Sequence, residues 1–204
     1  VRFDGQDFER IGEEYGVPEM SFLYYDDHRD ELWFADTTAL VRYDGHAFTR
    51  YDATDGYRLA GLPGKIVAAM HRDRQGALWI GTGPPGTNRL AGSGGLTRFE
   101  GNRFIAFDST SFPLDNVHRF HETGDGEVWV IPYGRRGDDG TRNNKAYPAR
   151  YEPEREVFEV MGPGQGYPLE GTFNIIEDDR GDLWFVGSGT FDTVEARFEG
   201  AGVA

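Results

Sequence analysis

Cysteine is absent from all 204 residues, so a disulfide scaffold, a thiolate metal site and a cysteine nucleophile are excluded. No apolar run approaches the roughly 20 residues with which a helix spans a bilayer. Helical periodicity of useful length is missing as well. Basic residues are scarce: Lys plus Arg is 21 against 35 for Asp plus Glu, a formal net charge of −14. That balance argues against a nucleic-acid binder, because phosphate attraction needs clustered Lys and Arg. The 29 glycines lack the three-residue period of collagen. Aromatics make up 14% of the chain and supply the apolar surface that disordered chains lack. The chain starts at Val1 and ends on Glu199-Gly200-Ala201-Gly202-Val203-Ala204. It is therefore expected to be cut from something longer, and an export signal is not readable from it.

A repeat is present. The four tryptophans, Trp33, Trp79, Trp129 and Trp184, recur at similar intervals that lengthen slightly along the chain, and they share their surroundings. On the near side of each stands a polar residue, Asp27, Asp73, Thr123 or Asp178, followed at a fixed offset by Asp30, Gly76, Gly126 or Gly181. The flanking residues are Leu or Val before and Phe, Ile or Val after. The unit thus reads D-x-x-G-x-L-W-[FIV]. A proline leads each unit at a nearly constant distance: Pro18, Pro63, Pro113 and Pro168. A third element begins at Arg2, Arg42, Arg98, Arg150 and Arg197 and reads R-[FY]-[DE]-G, with Pro153 ending the fourth copy. An aromatic follows it at Phe8, Phe48, Phe104 and Phe158.

Each element has a physical reading. The short apolar segment before Asp, as in Ile66–His71 or Thr172–Ile176, is a strand. D-x-x-G is a tight turn, since Asp can bond backbone two residues on and Gly accepts positive φ. L-W-[FIV] is a continuous apolar run, hence a strand buried on both faces. R-[FY]-[DE]-G is a third strand and the following aromatic opens a fourth. Four antiparallel strands with a period of about 50 residues make a β-propeller blade, with the tryptophans as core between blades. The expected class is all-β, about four repeats, part of a larger ring. The expected units are a partial blade at 1–15, blades at 16–55, 61–110 and 111–162, and a partial blade at 166–200.

The pattern resembles the two-component regulator propeller repeat. The second unit carries it best, through Leu62-Pro63-Gly64-Lys65-Ile66, Asp73-Arg74-Gln75-Gly76-Ala77-Leu78-Trp79-Ile80-Gly81-Thr82 and Gly95-Leu96-Thr97-Arg98-Phe99. The resemblance implies the sensor part of a bacterial signalling protein, located in the periplasm or outside the cell. Its implied partners are remaining blades or signalling domains of a longer protein and a second copy of the chain. Thr123 departs from the pattern in the third unit and Asp30 in the first, and the third unit lacks I-G-T.

Chemistry is sought on the loops that vary, because long loops on a rigid scaffold carry binding. The stretch from Trp to the next repeat Arg is shortest in the first unit, Trp33 to Arg42, and intermediate in the fourth, Trp184 to Arg197. It is about twice as long as the first in the second unit, Trp79 to Arg98, and in the third, Trp129 to Arg150. The second-unit loop, 81–95, contains Asn88 and Arg89. The third-unit loop, 131–149, contains Tyr133, Arg135, Arg136, Arg142, Asn143, Lys145 and Tyr147. Rings stack on sugar faces, amides bond hydroxyls and Arg forks a carboxylate, so this mixture suits a small polar ligand or oligosaccharide. No cofactor or metal is called for. His118-x-x-His121 falls on an expected strand, where residues three apart face opposite sides. His71 and His121 share one repeat position and read as packing residues. The carboxylates mostly belong to the recurrent turn. The leading reading is a non-catalytic sensor propeller. The alternatives are a propeller enzyme, a lyase or hydrolase similar to the streptogramin lyases, and a protein-interaction scaffold.

Overall fold

The computed structural model describes residues 2–3, 5–9, 22–35, 39–52, 66–83, 95–108, 110–114, 116–132, 135–136, 142–143, 146–188 and 195–198. The described residues are almost entirely β. The chain opens with β1 (Arg2–Phe3) and β2 (Phe8–Glu9), an antiparallel pair. Then come β3 (Phe22–Asp26), β4 (Glu31–Ala35), β5 (Leu40–Tyr43) and β6 (Phe48–Tyr51), a four-stranded meander. The second meander is β7 (Ile66–Arg72), β8 (Leu78–Gly83), β9 (Gly95–Glu100) and β10 (Arg103–Phe107). The third uses β11 (Arg119–Glu122), β12 (Val128–Ile131), β15 (Ala149–Glu152) and β16 (Val157–Val160). Between its second and third strands stands a small ribbon of β13 (Arg135–Arg136) and β14 (Arg142–Asn143). A fourth sheet holds β17 (Gly171–Glu177), β18 (Leu183–Ser188) and β19 (Glu195–Phe198). All pairings are antiparallel within these sheets, as in propeller blades.

The first strands of successive sheets adjoin: β3 with β7, β7 with β11, and β11 with β17. The sheets therefore fan around an axis with their innermost strands side by side. The second strands of the two middle sheets are buried on both faces, whereas β4 and β18 alternate buried and half-buried residues. β8 and β12 show no partly exposed residue at all, which is why they read as unbroken apolar runs. Gly81 in β8 is required by this packing, since a Cβ there would collide with Val117 at the head of the third sheet.

The repeat tryptophan makes each sheet-to-sheet contact. Trp33 is 0% exposed and meets Phe99 of the second sheet edge-on, centroids 5.6 Å apart. Trp79 is 1% exposed and meets Tyr151 and Phe158 of the third sheet at 4.8 and 5.6 Å. Trp129 is 3% exposed and meets Phe185 of the fourth at 5.5 Å. Each contact anchors one apolar cluster shared by two neighbouring sheets. Trp184, by contrast, is only half-buried. The series of sheets is open: Leu23 and Tyr25 are exposed on β3, and Phe173 and Ile176 on β17.

Burial of an aromatic in a close-packed contact and the void left by its removal both count toward stability. Trp79→Ala is therefore expected to cost about 3–5 kcal/mol. Trp184→Ala removes a ring that is only half-buried and is expected to cost clearly less. Urea unfolding of the two variants, monitored by far-ultraviolet circular dichroism, checks this; equal costs contradict it.

Candidate functional site

Every blade has two ends. One carries the turns between first and second and between third and fourth strands. The other carries the loops between second and third strands. The turn end is built the same way repeatedly. Asp73 accepts the indole N–H of Trp79 at 2.7 Å and the backbone N–H of Ala77 at 2.8 Å. Asp178 accepts from Trp184 Nε1 at 3.0 Å and from the backbone of Arg180 and Asp182. These donors favour the ionised form, so the Asp178 carboxyl lies well below the usual carboxylate range, the Trp184 indole being the largest cause. In the third unit Thr123 does not take up the indole. Its hydroxyl serves the turn instead, accepting from Glu127 N at 2.9 Å, and the Trp129 N–H donates to Glu127 Oε2 at 3.3 Å.

The first unit corrects the sequence reading. The turn residue there is Asp26, not Asp27. Tyr24 pairs with Trp33 as His71 pairs with Trp79, which makes Asp26 the counterpart of Asp73 and gives this turn one extra residue. Asp26 is fully buried and accepts His28 N at 3.2 Å. Asp30, three before Trp33, adopts φ 55°, the conformation that Gly76, Gly126 and Gly181 supply elsewhere. A short polar side chain tolerates that region better than most.

Polar contacts staple neighbouring turns together. Arg72 Nε donates to Asp26 Oδ2 of the preceding sheet at 2.7 Å, and both side chains are buried. Glu122 accepts Arg74 N at 3.0 Å and lies 2.9 Å from His71 Nε2. Glu177, one sheet further, accepts Gly124 N. His71 also stacks on Phe120, in keeping with a packing role, and the Glu122 carboxylate is its hydrogen-bonding partner. Burial keeps the His121 imidazole below its ordinary value and hence toward its neutral form.

Between the second and third sheets, at the turn end, lies a cavity of about 550 Å³. Trp79 forms part of its wall, with the Arg98 guanidinium carbon 5.6 Å from the indole centroid. Arg98 crosses to the next blade, donating to Tyr151 Oη at 2.6 Å and to Glu156 at 3.0 Å. Arg150 binds Glu152 at 2.8 Å and Glu127 at 3.4 Å on the opposite wall. Six carboxylates against two guanidiniums give the lining an excess of negative charge, which repels anions and suits cationic or neutral polar groups. The recurrent Arg of R-[FY]-[DE]-G is visible in the sequence by position alone. Arg98 pairs across from Trp79 and Arg150 across from Trp129, so each lies on the tryptophan face.

The described residues among those expected to bind ligand belong to the other end. Arg135 pairs with Asn143 and Arg136 with Arg142, so the backbone folds part of the 131–149 loop into a ribbon where the sequence suggests only a loop. Tyr147 is half-buried beside the third core cluster, with its ring 6.3 Å from Tyr167 and edge-on to it. Beside it, Ala146 bridges to Gly171 and ties the loop to β17. Asn88, Arg89, Tyr133 and Lys145 lie outside the described residues. Gly81-Thr82-Gly83 belongs to β8 and is buried.

A family profile described as Two component regulator propeller matches residues 61–83, the span that holds the second turn and Trp79. This stretch is a two-component regulator propeller repeat. No curated protein matches the chain significantly. Among solved structures, the extracellular domain of the putative one component system BT4673 from B. thetaiotaomicron is 16% identical, with a TM-score of 0.50 over 89% of this chain and 24% of that one. PorZ, a surface component of the type-IX secretion system of Porphyromonas gingivalis, is 15% identical, with a TM-score of 0.50 over 89% and 25%. The extracellular domain of the putative hybrid two component system BT3049 from B. thetaiotaomicron is 13% identical, with a TM-score of 0.42 over 81% and 26%. The chain spans about a quarter of the length of each of these structures. At 15–16% identity the two likenesses with a TM-score of 0.50 bear on the fold alone.

A carboxylate depressed by native hydrogen bonds adds stability that is complete above its unfolded value, about pH 4, and is lost as pH falls through the folded value. Asp178 is such a group, and so is Asp108, which the Thr110 hydroxyl and neighbouring donors lower to about 2. The urea midpoint is therefore expected to hold steady from neutral pH down to about pH 5 and to fall below about pH 4. Asp178→Asn should lower the midpoint at neutral pH and flatten the acid fall. A slope identical to that of the wild type would contradict the assignment.

Proposed function

We propose that this chain is part of a sensor propeller of a bacterial signalling protein, working outside the cytoplasm. On this reading it takes up a glycan or another small polar ligand at the loop end of its blades. The two-component regulator propeller repeat at residues 61–83 supports the signalling role. The extracellular and surface settings printed for the similar structures support the location. The observation that carries the ligand end is the β13–β14 ribbon. Its register sets Arg135 opposite Asn143 and Arg136 opposite Arg142 on one short, backbone-bonded platform. Three arginines and an asparagine brought together along the backbone are residue types that suit carboxylate and hydroxyl groups, in a protein whose overall charge is −14. The acid-rich cavity at the turn end offers the reverse chemistry and is stitched by its own ion pairs. A ligand there would have to separate Arg98 from Tyr151 and Glu156, contacts that join two blades.

The reading is tested by melting the protein against mono-, oligo- and acidic saccharides. A ligand present at 100 times its dissociation constant adds about 2.7 kcal/mol, a visible rise in melting temperature. The expected result is a rise with an acidic or polyhydroxyl saccharide that disappears in Arg135→Ala/Arg136→Ala/Arg142→Ala. No rise with any saccharide, or a rise unchanged in that variant, refutes the ligand assignment.

A further inference from the structure

Six buried side-chain polar atoms have no hydrogen-bonding partner among the described residues, and four of them meet in one place, the turn end of the contact between the first and second sheets. They are Glu31 Oε2, Trp33 Nε1, Arg42 Nε and Arg72 Nη2. Strand pairing gathers them on one face. Asp26 pairs with Glu31 across β3 and β4, and Trp33 with Arg42 across β4 and β5. Glu31 and Trp33 are two apart on β4, so they lie on the same side of the sheet. Arg72 enters this face from β7 of the second sheet. Its guanidinium carbon stands 6.0 Å from the Trp33 ring centroid, and its Nη2 stands 3.5 Å from Glu31 Oε2 without a hydrogen bond. Arg42 Nη1 is 3.6 Å from Glu31 Oε1. Trp33 is 0% exposed, Arg72 3% and Glu31 7%, so bulk solvent is shut out.

The repeat shows what is missing. Trp79 and Trp184 donate their indole N–H to the turn Asp, and Trp129 donates to Glu127. The counterpart for Trp33 is Asp26, and Arg72 Nε has taken its carboxylate at 2.7 Å. Arg72 Nη1 is engaged as well, by the carbonyl of Gly76 at 2.9 Å, which leaves Nη2 over. A buried donor or acceptor left unmade keeps the whole cost of its desolvation, and such groups in native proteins are commonly met by ordered water. Charge decides the class of guest. Asp26 and Glu31 balance Arg42 and Arg72, so the place draws neither an anion nor a cation. The guest has to accept from N–H groups and donate to a carboxylate, and water does both. We infer that the contact between the first and second sheets holds internal water, accepting from the Trp33, Arg42 and Arg72 N–H groups and donating to Glu31 Oε2. A water has two lone pairs for these three donors, so the full set is met by a pair of waters. Water thus stands at Trp33 where Asp73 stands at Trp79. This inference does not depend on the proposed ligand.

Cross-relaxation between water and the indole N–H groups tests it, measured as paired NOE and ROE spectra of the isotopically labelled full chain. A water held longer than the protein takes to tumble gives cross peaks of opposite sign in the two spectra, whereas proton exchange gives the same sign. The expected result is an opposite-sign pair at Trp33 Nε1–H and none at Trp79 Nε1–H, which is as deeply buried and bonded to Asp73. Glu31→Leu removes the acceptor and should abolish the Trp33 peaks, while Glu31→Gln keeps an acceptor oxygen and should retain them. Circular dichroism verifies that both variants are folded. Magnetisation relayed from a guanidinium would survive both substitutions, so peaks undiminished in Glu31→Leu overturn the inference. A wild type without water peaks at Trp33 overturns it too. Should Glu31→Leu fail to fold, a crystal structure of the wild type decides: density for water within hydrogen-bonding distance of Trp33 Nε1 and Glu31 Oε2 supports the site, and Arg72 Nη2 closed onto Glu31 Oε2 around a dry contact refutes it.

Discussion

The structure depends on the seating of one tryptophan from each sheet into the next. A single four-stranded sheet of this size cannot bury both of its faces, and its second strand is apolar on both. The burial of Trp33, Trp79 and Trp129 supplies the missing cover, and it does so by joining two sheets rather than by closing one. Stability is consequently a property of neighbours, as in repeat proteins whose units stack along one direction. The second strand accordingly keeps an apolar residue on each side of its tryptophan in all four sheets, because a change there must satisfy two sheets at once.

The polar contacts follow from that seating. An indole N–H carried into the core needs an acceptor, and the turn Asp is the nearest place to put one. Asp73 and Asp178 fill this role directly. Where Thr123 replaces Asp, Glu127 takes the indole and the Thr hydroxyl holds the turn. The first unit is the exception: Asp26 is occupied by Arg72, Glu31 and Arg42 stand 3.6 Å apart beside it, and the buried Trp33 indole N–H has no acceptor among the described residues. Buried carboxylates between sheets are thereby compensated by guanidiniums or backbone N–H groups of the adjacent turn, the condition under which burying charge is tolerable. Arg98 combines several of these roles: one guanidinium lies over Trp79, binds Tyr151 and pairs with Glu156.

The legible part of this fold is the part set by periodicity. The second-strand run, the Gly turn and the third-strand Arg recur because each sheet meets the same neighbours, so strands such as Phe48–Tyr51 and Glu195–Phe198 can be placed to the residue. The first turn is misplaced by one residue in the sequence reading because Asp26 and Asp27 are adjacent and chemically identical. Only the Tyr24–Trp33 pairing separates them. The inter-sheet partners of Arg98 and Glu122 are not legible, since they lie a whole repeat away and depend on how far each sheet is turned against the next. The ribbon of β13 and β14 is hidden for another reason. Two-residue strands carry no periodicity, and Arg and Asn have no preference that would announce them.

The two ends of the blades are under unequal constraint, and this asymmetry bears on function. At the turn end, charge, indole and backbone are engaged in holding sheets together, so a residue there cannot change without consequence for two blades. At the loop end the stretch from Trp to the next repeat Arg more than doubles between the first unit, Trp33 to Arg42, and the third, Trp129 to Arg150, with the sheets unaltered. Sequence that varies freely over a rigid base is where specificity can be acquired with little loss of stability. A fold whose cohesion sits at one end leaves the other free to be shaped by what it recognises, and the arginine-rich ribbon of the third sheet stands at that free end.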